Sequence, residues 1–320
     1  MDLTDMAQNF AVMGVGGYIA PRHLKAIKDT GNNLVAAVDP YDSVGILDKY
    51  FHNVKFFTEF ERFDRHLEKQ RRNRSEDKVD YITICTPNYL HDAHCRLALR
   101  LGVDTICEKP LVINPWNLDQ LASLEAESEG KIHTMLQLRV HPELLKIKNQ
   151  LDKIKTKSNH EVEITYITSR GPWYYSSWKG SPEKSGGIAT NIGIHFFDMI
   201  QWMFGKFGEN RVYLDEFDRM SGYVELEEAQ VRWFLSLNES DLPPSSNKLG
   251  QKTYRSMTID GEEVEFSSGF TDLHTEVYKR TLAGDGFGIE DVRASIELTH
   301  EIRNCTTSKI DKYAHPYLRK

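Results

Sequence analysis

The sequence predicts an α/β protein in two domains: a doubly wound parallel sheet over residues 1–138, then an α+β domain with an open, mostly antiparallel sheet over residues 139–320. Three observations predict it. Up to about residue 138, short apolar runs bounded by turn residues alternate with helical patterns, the order that builds a parallel sheet covered on both faces. From residue 161 the apolar period becomes two, with Val162, Ile164 and Tyr166 and later Ala229, Val231, Trp233, Leu235 and Leu237 alternating with polar residues. That is the mark of strands with one covered face. An Asp260-Gly261 turn between Met257-Thr258-Ile259 and Val264-Glu265-Phe266 adds a hairpin. At 320 residues the chain can bury two cores.

The first strand, residues 10–13, runs into Gly14-Val15-Gly16-Gly17-Tyr18-Ile19-Ala20 and a helix carrying Leu24 and Ile27. Strand, glycine turn and helix together are the setting of a dinucleotide fingerprint, in which main-chain amides at a helix start hold a pyrophosphate. The turn departs from the strict pattern, because the third small residue falls at Ile19 and Ala20 comes one place late. Residues 34–38 form the second strand, ending in Asp39 where the fingerprint places an acid on the adenosine ribose. A carboxylate there repels a 2'-phosphate and favours NAD over NADP; the plain alternative is a turn aspartate before Pro40. A helical segment from Ser43, a strand at 54–57 and a charged helix over 59–70 follow.

Residues 79–85 form the fourth strand, after which Thr86-Pro87-Asn88 precede a helix with Leu90, His94, Leu97 and Leu101 on one face. His94 lies in that stripe and reads as an interior histidine, whereas His91 points elsewhere, near where a nicotinamide would lie. The fifth strand ends in Ile106-Cys107-Glu108-Lys109-Pro110, which delivers Glu108 and Lys109 to the mouth of the sheet, where open α/β sheets bind ligands. Asn114-Pro115 starts a helix, and a sixth strand at 132–136 runs into Gln137 and Arg139.

In the second half, Trp173-Tyr174-Tyr175-Ser176-Ser177-Trp178-Lys179-Gly180 reads as a lid or ligand wall. After it, Asn191 and His195 are four apart, so they share a face if a helix has begun by Asn191. A broad sheet face carrying Trp233 or Phe234 would otherwise be an exposed apolar patch, which points to a homo-oligomer, a tetramer favoured. The net charge of -7 argues against nucleic acid, and the basic run at 69–74 is a solvated helix end. Cys85, Cys95, Cys107 and Cys305 have no CxxC spacing, and neither they nor His91 and His94 make a metal set. No signal-peptide layout and no membrane-length apolar run is present, so a cytoplasmic protein is expected.

With the glycine turn, Asp39, Thr86-Pro87-Asn88 with His91, and Glu108-Lys109-Pro110 in place, the chain resembles the Gfo/Idh/MocA family of oxidoreductases. The resemblance implies a Rossmann domain binding NAD through Gly14, Gly16, Gly17, Tyr18, Ile19, Asp39, Thr86, Pro87, Asn88, His91, Glu108, Lys109 and Gln137. It implies that Lys109 contacts both nicotinamide ribose and substrate. The family usually has an aspartate four residues before its histidine; this chain has Asn191, which cannot take a proton, so His195 is the better base. Gly17 to His23, Asn114-Pro115-Trp116-Asn117, Leu136-Gln137-Leu138-Arg139, Ser177-Trp178-Lys179, Tyr254-Arg255-Ser256 and Gly269 to Glu276 look like the branch that oxidises UDP-N-acetylglucosaminuronic acid at the sugar 3-position. That likeness implies substrate contacts from Arg139, Trp178, Lys179, Asn191, His195, Tyr254 and Arg255, with each cation also able to form a structural ion pair. It implies NADH reoxidation by 2-oxoglutarate and a place in making a diacetamido uronic acid for surface polysaccharide. Another sugar or inositol dehydrogenase of the family, or a non-enzymatic NAD-sensing protein, remains open at this point.

Overall fold

A computed structural model describes residues 7–153, 159–248, 250–264 and 272–319. Two compact units emerge: Met1–Gln137 with Thr271–Val292, and Leu138–Phe270 with Arg293–Lys320. The segment from 271 to 292, which a single cut at 138 gives to the second domain, therefore packs in the first.

In the first unit the order is β1 (Asn9–Met13), α1 (Ala20–Asp29), β2 (Asn33–Val38), β3 (Lys55–Phe57), α2 (Phe60–Asn73), β4 (Tyr81–Ile84), α3 (His91–Leu101), β5 (Asp104–Cys107), α4 (Pro115–Ala126) and β6 (Ile132–Thr134). The sheet runs β3-β2-β1-β4-β5-β6, all neighbours parallel. Phe10 to Met13 are wholly buried, as a strand covered on both faces requires. Strand order reverses between β1 and β4, so the crevice for a ligand lies at the ends of those strands. Two expected elements shrink. The segment after Ser43 forms only a single 3-10 turn, Gly45–Lys49, and the sixth strand stops at Thr134 before a second such turn, Gln137–Val140.

The second unit begins with α5 (Pro142–Leu151), β7 (His160–Thr168), α6 (Pro172–Ser176) and α7 (Pro182–Ser185). It continues through α8 (Ile194–Phe204), β8 (Phe207–Asp215), β9 (Arg219–Leu226), β10 (Ala229–Ser236), α9 (Pro244–Lys248), β11 (Thr253–Ile259) and β12 (Glu262–Glu263). Its sheet runs β12-β11-β7-β10-β9-β8, with β7 and β10 parallel and the other pairs antiparallel. Asp260 and Gly261 both take positive φ, the primed turn that fits a hairpin's twist. Val264 continues that ladder through its amide to Met257 O at 2.8 Å, while Glu265 and Phe266 lie outside the described residues, as do 269–271. The chain then passes through α10 (Leu273–Leu282), which packs on α1, and α11 (Ile289–Asn304).

The two faces of this sheet are both covered. Phe197, Met199, Ile200, Met203 and Phe204 of α8 pack with Val162, Ile164, Val231, Trp233, Leu235 and Met257. Trp233 stands edge-on to Phe197, centroids 5.3 Å apart. The opposite face carries Ile167 and Phe234 under Leu242, Tyr317 and Leu318, and Tyr213 and Tyr223 under Tyr313 and Ala314. Phe234 is 2% exposed. The patch expected to need a second copy is thus closed by the chain's own C-terminal segment, so it gives no argument for assembly.

Candidate active site

Every residue expected of the cofactor site lies at or just beyond the C-terminal end of a parallel strand. Gly14 follows β1, Asp39 follows β2, Thr86 to Asn88 follow β4, Glu108 and Lys109 follow β5, and Gln137 follows β6. Gly14 has φ +81, and a Cβ there would sit 2.9 Å from the main chain of Cys85 and Thr86. Only glycine lets the turn pass so close to β4. Asp39 accepts from the Gly16 amide at 2.9 Å and the Tyr41 amide at 3.0 Å, so its carboxylate is aimed across the glycine turn. Tyr18, at 91% exposed, stands out from the turn, and Ile19 is the residue from which α1 starts. Gln137 Oε1 is buried and takes no hydrogen bond from the described residues, a polar atom that fits a ligand donor.

Two of the expected cofactor contacts are built into the protein instead. His91 is wholly buried; its Nδ1 lies 2.7 Å from Pro110 O and its Nε2 2.8 Å from Thr86 O. Burial pulls its pKa down, against the pull of those two carbonyls, and the ring ties the β4 loop to the turn holding Lys109. Glu108 is buried too, accepting from His23 Nε2 at 2.9 Å and His274 Nε2 at 3.3 Å. Burial pushes its pKa up, but the hydrogen bonds from His23 and then His274 outweigh that and hold the carboxyl well below its usual range. Lys109 is half-buried and joined to Pro110 by a cis peptide. Burial lowers the pKa of its amine and the Glu108 charge opposes that.

In the second unit, residues 189–193 form a π-helical turn that runs directly into α8. The helix has therefore begun by Asn191, which puts Asn191, His195 and Asp198 along one stripe. Such wide turns recur at functional sites. Asn191 Nδ2 donates to Tyr174 Oη at 2.8 Å, so the lid segment is pinned to the stripe. Arg139 does not stand free for a substrate anion. Its Nε and an Nη donate to the two Asp198 oxygens at 3.0 and 2.7 Å, a bidentate pair with side chains 11% and 4% exposed. This is the structural ion-pair reading of that arginine.

The Lys179 ammonium sits 4.0 Å from the centre of the Trp178 ring, and the Arg255 guanidinium 5.3 Å from that of Tyr166. Tyr166 also meets Phe196 of α8 at 5.0 Å, so Arg255 is on the helix-covered face. Tyr254 packs with Ile167, Phe234 and Leu242 on the other face. Successive strand residues point to opposite faces, so Tyr254 and Arg255 cannot line one site. Sequence reasoning missed His23 and His274, the partners of Glu108, Tyr278, which bonds His23 in turn, and Asp198, the partner of Arg139. The i, i+3 step from His195 to Asp198 was the available signal for the last.

A reversing parallel sheet with a glycine turn at its first strand end, a carboxylate after the second and a lysine after the fifth defines a dinucleotide-dependent oxidoreductase. Residues 8–135 match the NAD-binding Rossmann fold of an oxidoreductase family and residues 148–318 its C-terminal alpha/beta domain. The chain belongs to the Gfo/Idh/MocA oxidoreductase family, and its cofactor is NAD.

It is similar, with a TM-score of 0.93 and 48% identity over 97% of this chain and 99% of the other, to the WlbA (WbpB) dehydrogenase from Thermus thermophilus solved with NAD and alpha-ketoglutarate. The same dehydrogenase with NAD and UDP-GlcNAcA gives a TM-score of 0.92 and 47% identity over 97% of this chain and 99% of that one. Inositol 2-dehydrogenase of Rhizobium meliloti is 24% identical over 208 residues, 63% of this chain and 56% of that protein. The chain spans only 31% and 56% of the length of the first curated relatives it matches.

Proposed function

We propose that this protein oxidises the 3-hydroxyl of UDP-N-acetyl-D-glucosaminuronic acid to the 3-keto sugar. The observation that carries this reading is the near-complete match, at 47% identity, to a dehydrogenase solved with NAD and UDP-GlcNAcA. NAD, when bound, accepts the hydride. Gly14, Gly16, Gly17, Tyr18, Ile19, Asp39, Thr86, Pro87, Asn88 and Gln137 are the residues assigned to hold it. His195 takes the hydroxyl proton, and the Lys109 ammonium stabilises the negative charge that develops on that oxygen. Asn191 and Trp178 orient the sugar. With Arg139 engaged by Asp198, Lys179 and Arg255 are the cations for the uronate and diphosphate.

Reoxidation of NADH by 2-oxoglutarate belongs to the same reading, supported by the alpha-ketoglutarate in the similar dehydrogenase. So do a cytoplasmic setting, where both NAD and nucleotide sugars are found, and supply of a diacetamido uronic acid for surface polysaccharide. No helix among the described residues is long and apolar enough to cross a membrane. A homotetramer also belongs to it, and Trp173, Tyr175 and Phe217, exposed aromatics with Tyr175 and Phe217 5.5 Å apart, are surface that a second copy would cover. Light scattering at the mass of one chain would remove that part.

The test is the absorption of the purified protein at the NADH band. UDP-N-acetylglucosaminuronic acid should raise it and 2-oxoglutarate should then abolish it. No change with the UDP-uronate, but a rise with a free hexose or inositol, would favour the second reading, a different sugar or inositol dehydrogenase. The likeness to inositol 2-dehydrogenase supports that alternative.

A further inference from the structure

A buried polar pair joins the lid segment to the turn that leads into α8. Of the consecutive aromatics Trp173, Tyr174 and Tyr175, the middle one turns inward while its two neighbours are exposed. Tyr174 packs in the core with Ile188, Ile192 and Phe196, and its hydroxyl accepts from Asn191 Nδ2 at 2.8 Å. Both residues are buried, so breaking this bond leaves polar groups that water cannot readily satisfy. The Tyr174 carbonyl also accepts from the Ser177 amide at 3.2 Å and from the Ser177 hydroxyl at 2.8 Å. That hydroxyl in turn accepts from the Lys179 amide at 3.3 Å. Tyr174 thus holds Asn191 through its side chain and the turn bearing Trp178 and Lys179 through its main chain.

An asparagine amide has a donor end and an acceptor end of nearly the same shape, and a half-turn about χ2 exchanges them. A carboxylate in this place would have oxygen at both ends and no wrong way round. An asparagine offers an acceptor to a ligand only if its NH2 group is held on the other side. We propose that Tyr174 is a positioning residue for the sugar: its hydroxyl takes the Nδ2 end of Asn191 and so fixes the amide with Oδ1 at the opposite end, presented as a hydrogen-bond acceptor. The backbone around the amide is already set. A Cβ on Gly193, two residues on, would stand 2.6 Å from the Phe197 ring and 2.7 Å from Leu235, so the turn carrying Asn191 is packed tightly against the sheet. The inference rests on the reading of Asn191 as a residue that orients the sugar. It goes further by naming the kind of ligand group that Asn191 selects, a donor such as a hydroxyl or an amide N–H, and not a ketone or carboxylate oxygen.

The experiment compares kcat/KM for UDP-N-acetylglucosaminuronic acid in wild type, Tyr174→Phe, Asn191→Asp and the double variant of the full chain, with the Tm of each. Tyr174→Phe keeps the ring and the main-chain bonds to Ser177 and loses only the hydroxyl. It should lower kcat/KM by roughly 3- to 10-fold, the worth of one neutral hydrogen bond, because the amide can then turn either end to the sugar. In the Asn191→Asp background the same change should cost less than about twofold, since a carboxylate presents an oxygen whichever way it lies. Equal losses in the two backgrounds give the hydroxyl a packing role alone; they overturn the inference and leave the proposed reaction standing. Neutron diffraction from deuterated wild-type crystals supplies a readout that needs neither a folded variant nor a substrate. Deuterium on the amide atom facing Tyr174 Oη is expected, and a bare oxygen there overturns the inference. A wild type inert towards the UDP-uronate overturns the reading of function instead, and the neutron result then decides the orientation of the amide.

Discussion

Replacing Asp198 with alanine tests how the second unit uses its buried charges. Arg139 would keep its guanidinium, which does not deprotonate in proteins, but would lose two charge-assisted hydrogen bonds of 3.0 and 2.7 Å. With the two side chains 11% and 4% exposed, water cannot readily take the place of the carboxylate. Breaking one partner of such a pair costs about 3–5 kcal/mol. For a domain of this size each kcal/mol is worth roughly 2–4 °C in Tm, so the variant should melt about 6–20 °C lower. The assay is thermal and urea unfolding followed by near-ultraviolet circular dichroism, with Asp198→Leu/Arg139→Met as the control. That double replacement removes both charges and should stand within about 1 kcal/mol of wild type or above it, because the desolvation cost disappears with the attraction. An Asp198→Ala protein losing less than about 1 kcal/mol would refute the reasoning. It would mean that the arginine finds other partners and is available to a substrate anion.

Lys109→Met and His195→Asn should each lower kcat by about 10²-fold or more in a steady-state assay with the UDP-uronate, the scale of one electrostatic or acid–base group. Gly14→Ala places a methyl group 2.9 Å from the β4 main chain at a φ of +81, so NAD affinity measured by calorimetry should fall by at least tenfold and the Tm should drop. His94, buried and hydrogen-bonded to Thr86 at 2.9 Å, has its pKa lowered by burial, then by His91, to about 4. The unfolded chain binds that proton near pH 6.5 and the folded one near 4, so its contribution is present above 6.5 and is lost as pH falls through that window, about 3 kcal/mol in all. A urea titration of His94→Gln from pH 7 to 4 should show a flatter fall than wild type; an identical fall would place the acid sensitivity elsewhere.

The first sheet was legible in the sequence because each of its strands is short, apolar and closed by a turn signal, so pattern and burial agree. The glycine turn, Asp39, Lys109 and the Asn191 to His195 step could be located for the same reason, since strand ends and helix periods fix where a side chain emerges. Partnerships made across long sequence separations were not legible. His274 reaches Glu108 from 166 positions away, and Asp198 reaches Arg139 from 59. No local pattern encodes such meetings, and so Glu108 and His91 read from the sequence as cofactor contacts, without the interior partners that the structure gives them. Tyr254 failed for a different reason. It was grouped with Arg255 as one segment, although a strand's alternation sends two neighbours to opposite sides. The covered outer face was missed because the tail that covers it, with Tyr313 and Tyr317, shows no strand or helix period.

The place of α10 bears on how the molecule is made. A ribosome emits the nucleotide-binding sheet first, yet His23 and Glu108 must wait for His274 and Tyr278, which leave the exit tunnel only after the whole second sheet. Until then the early half holds an acid and an imidazole without their final company, and late arrival of one helix closes its interior. Fragment complementation should therefore succeed when a chain ending at 137 is offered a separate piece spanning 271–292, and binding of the dinucleotide should improve on their union.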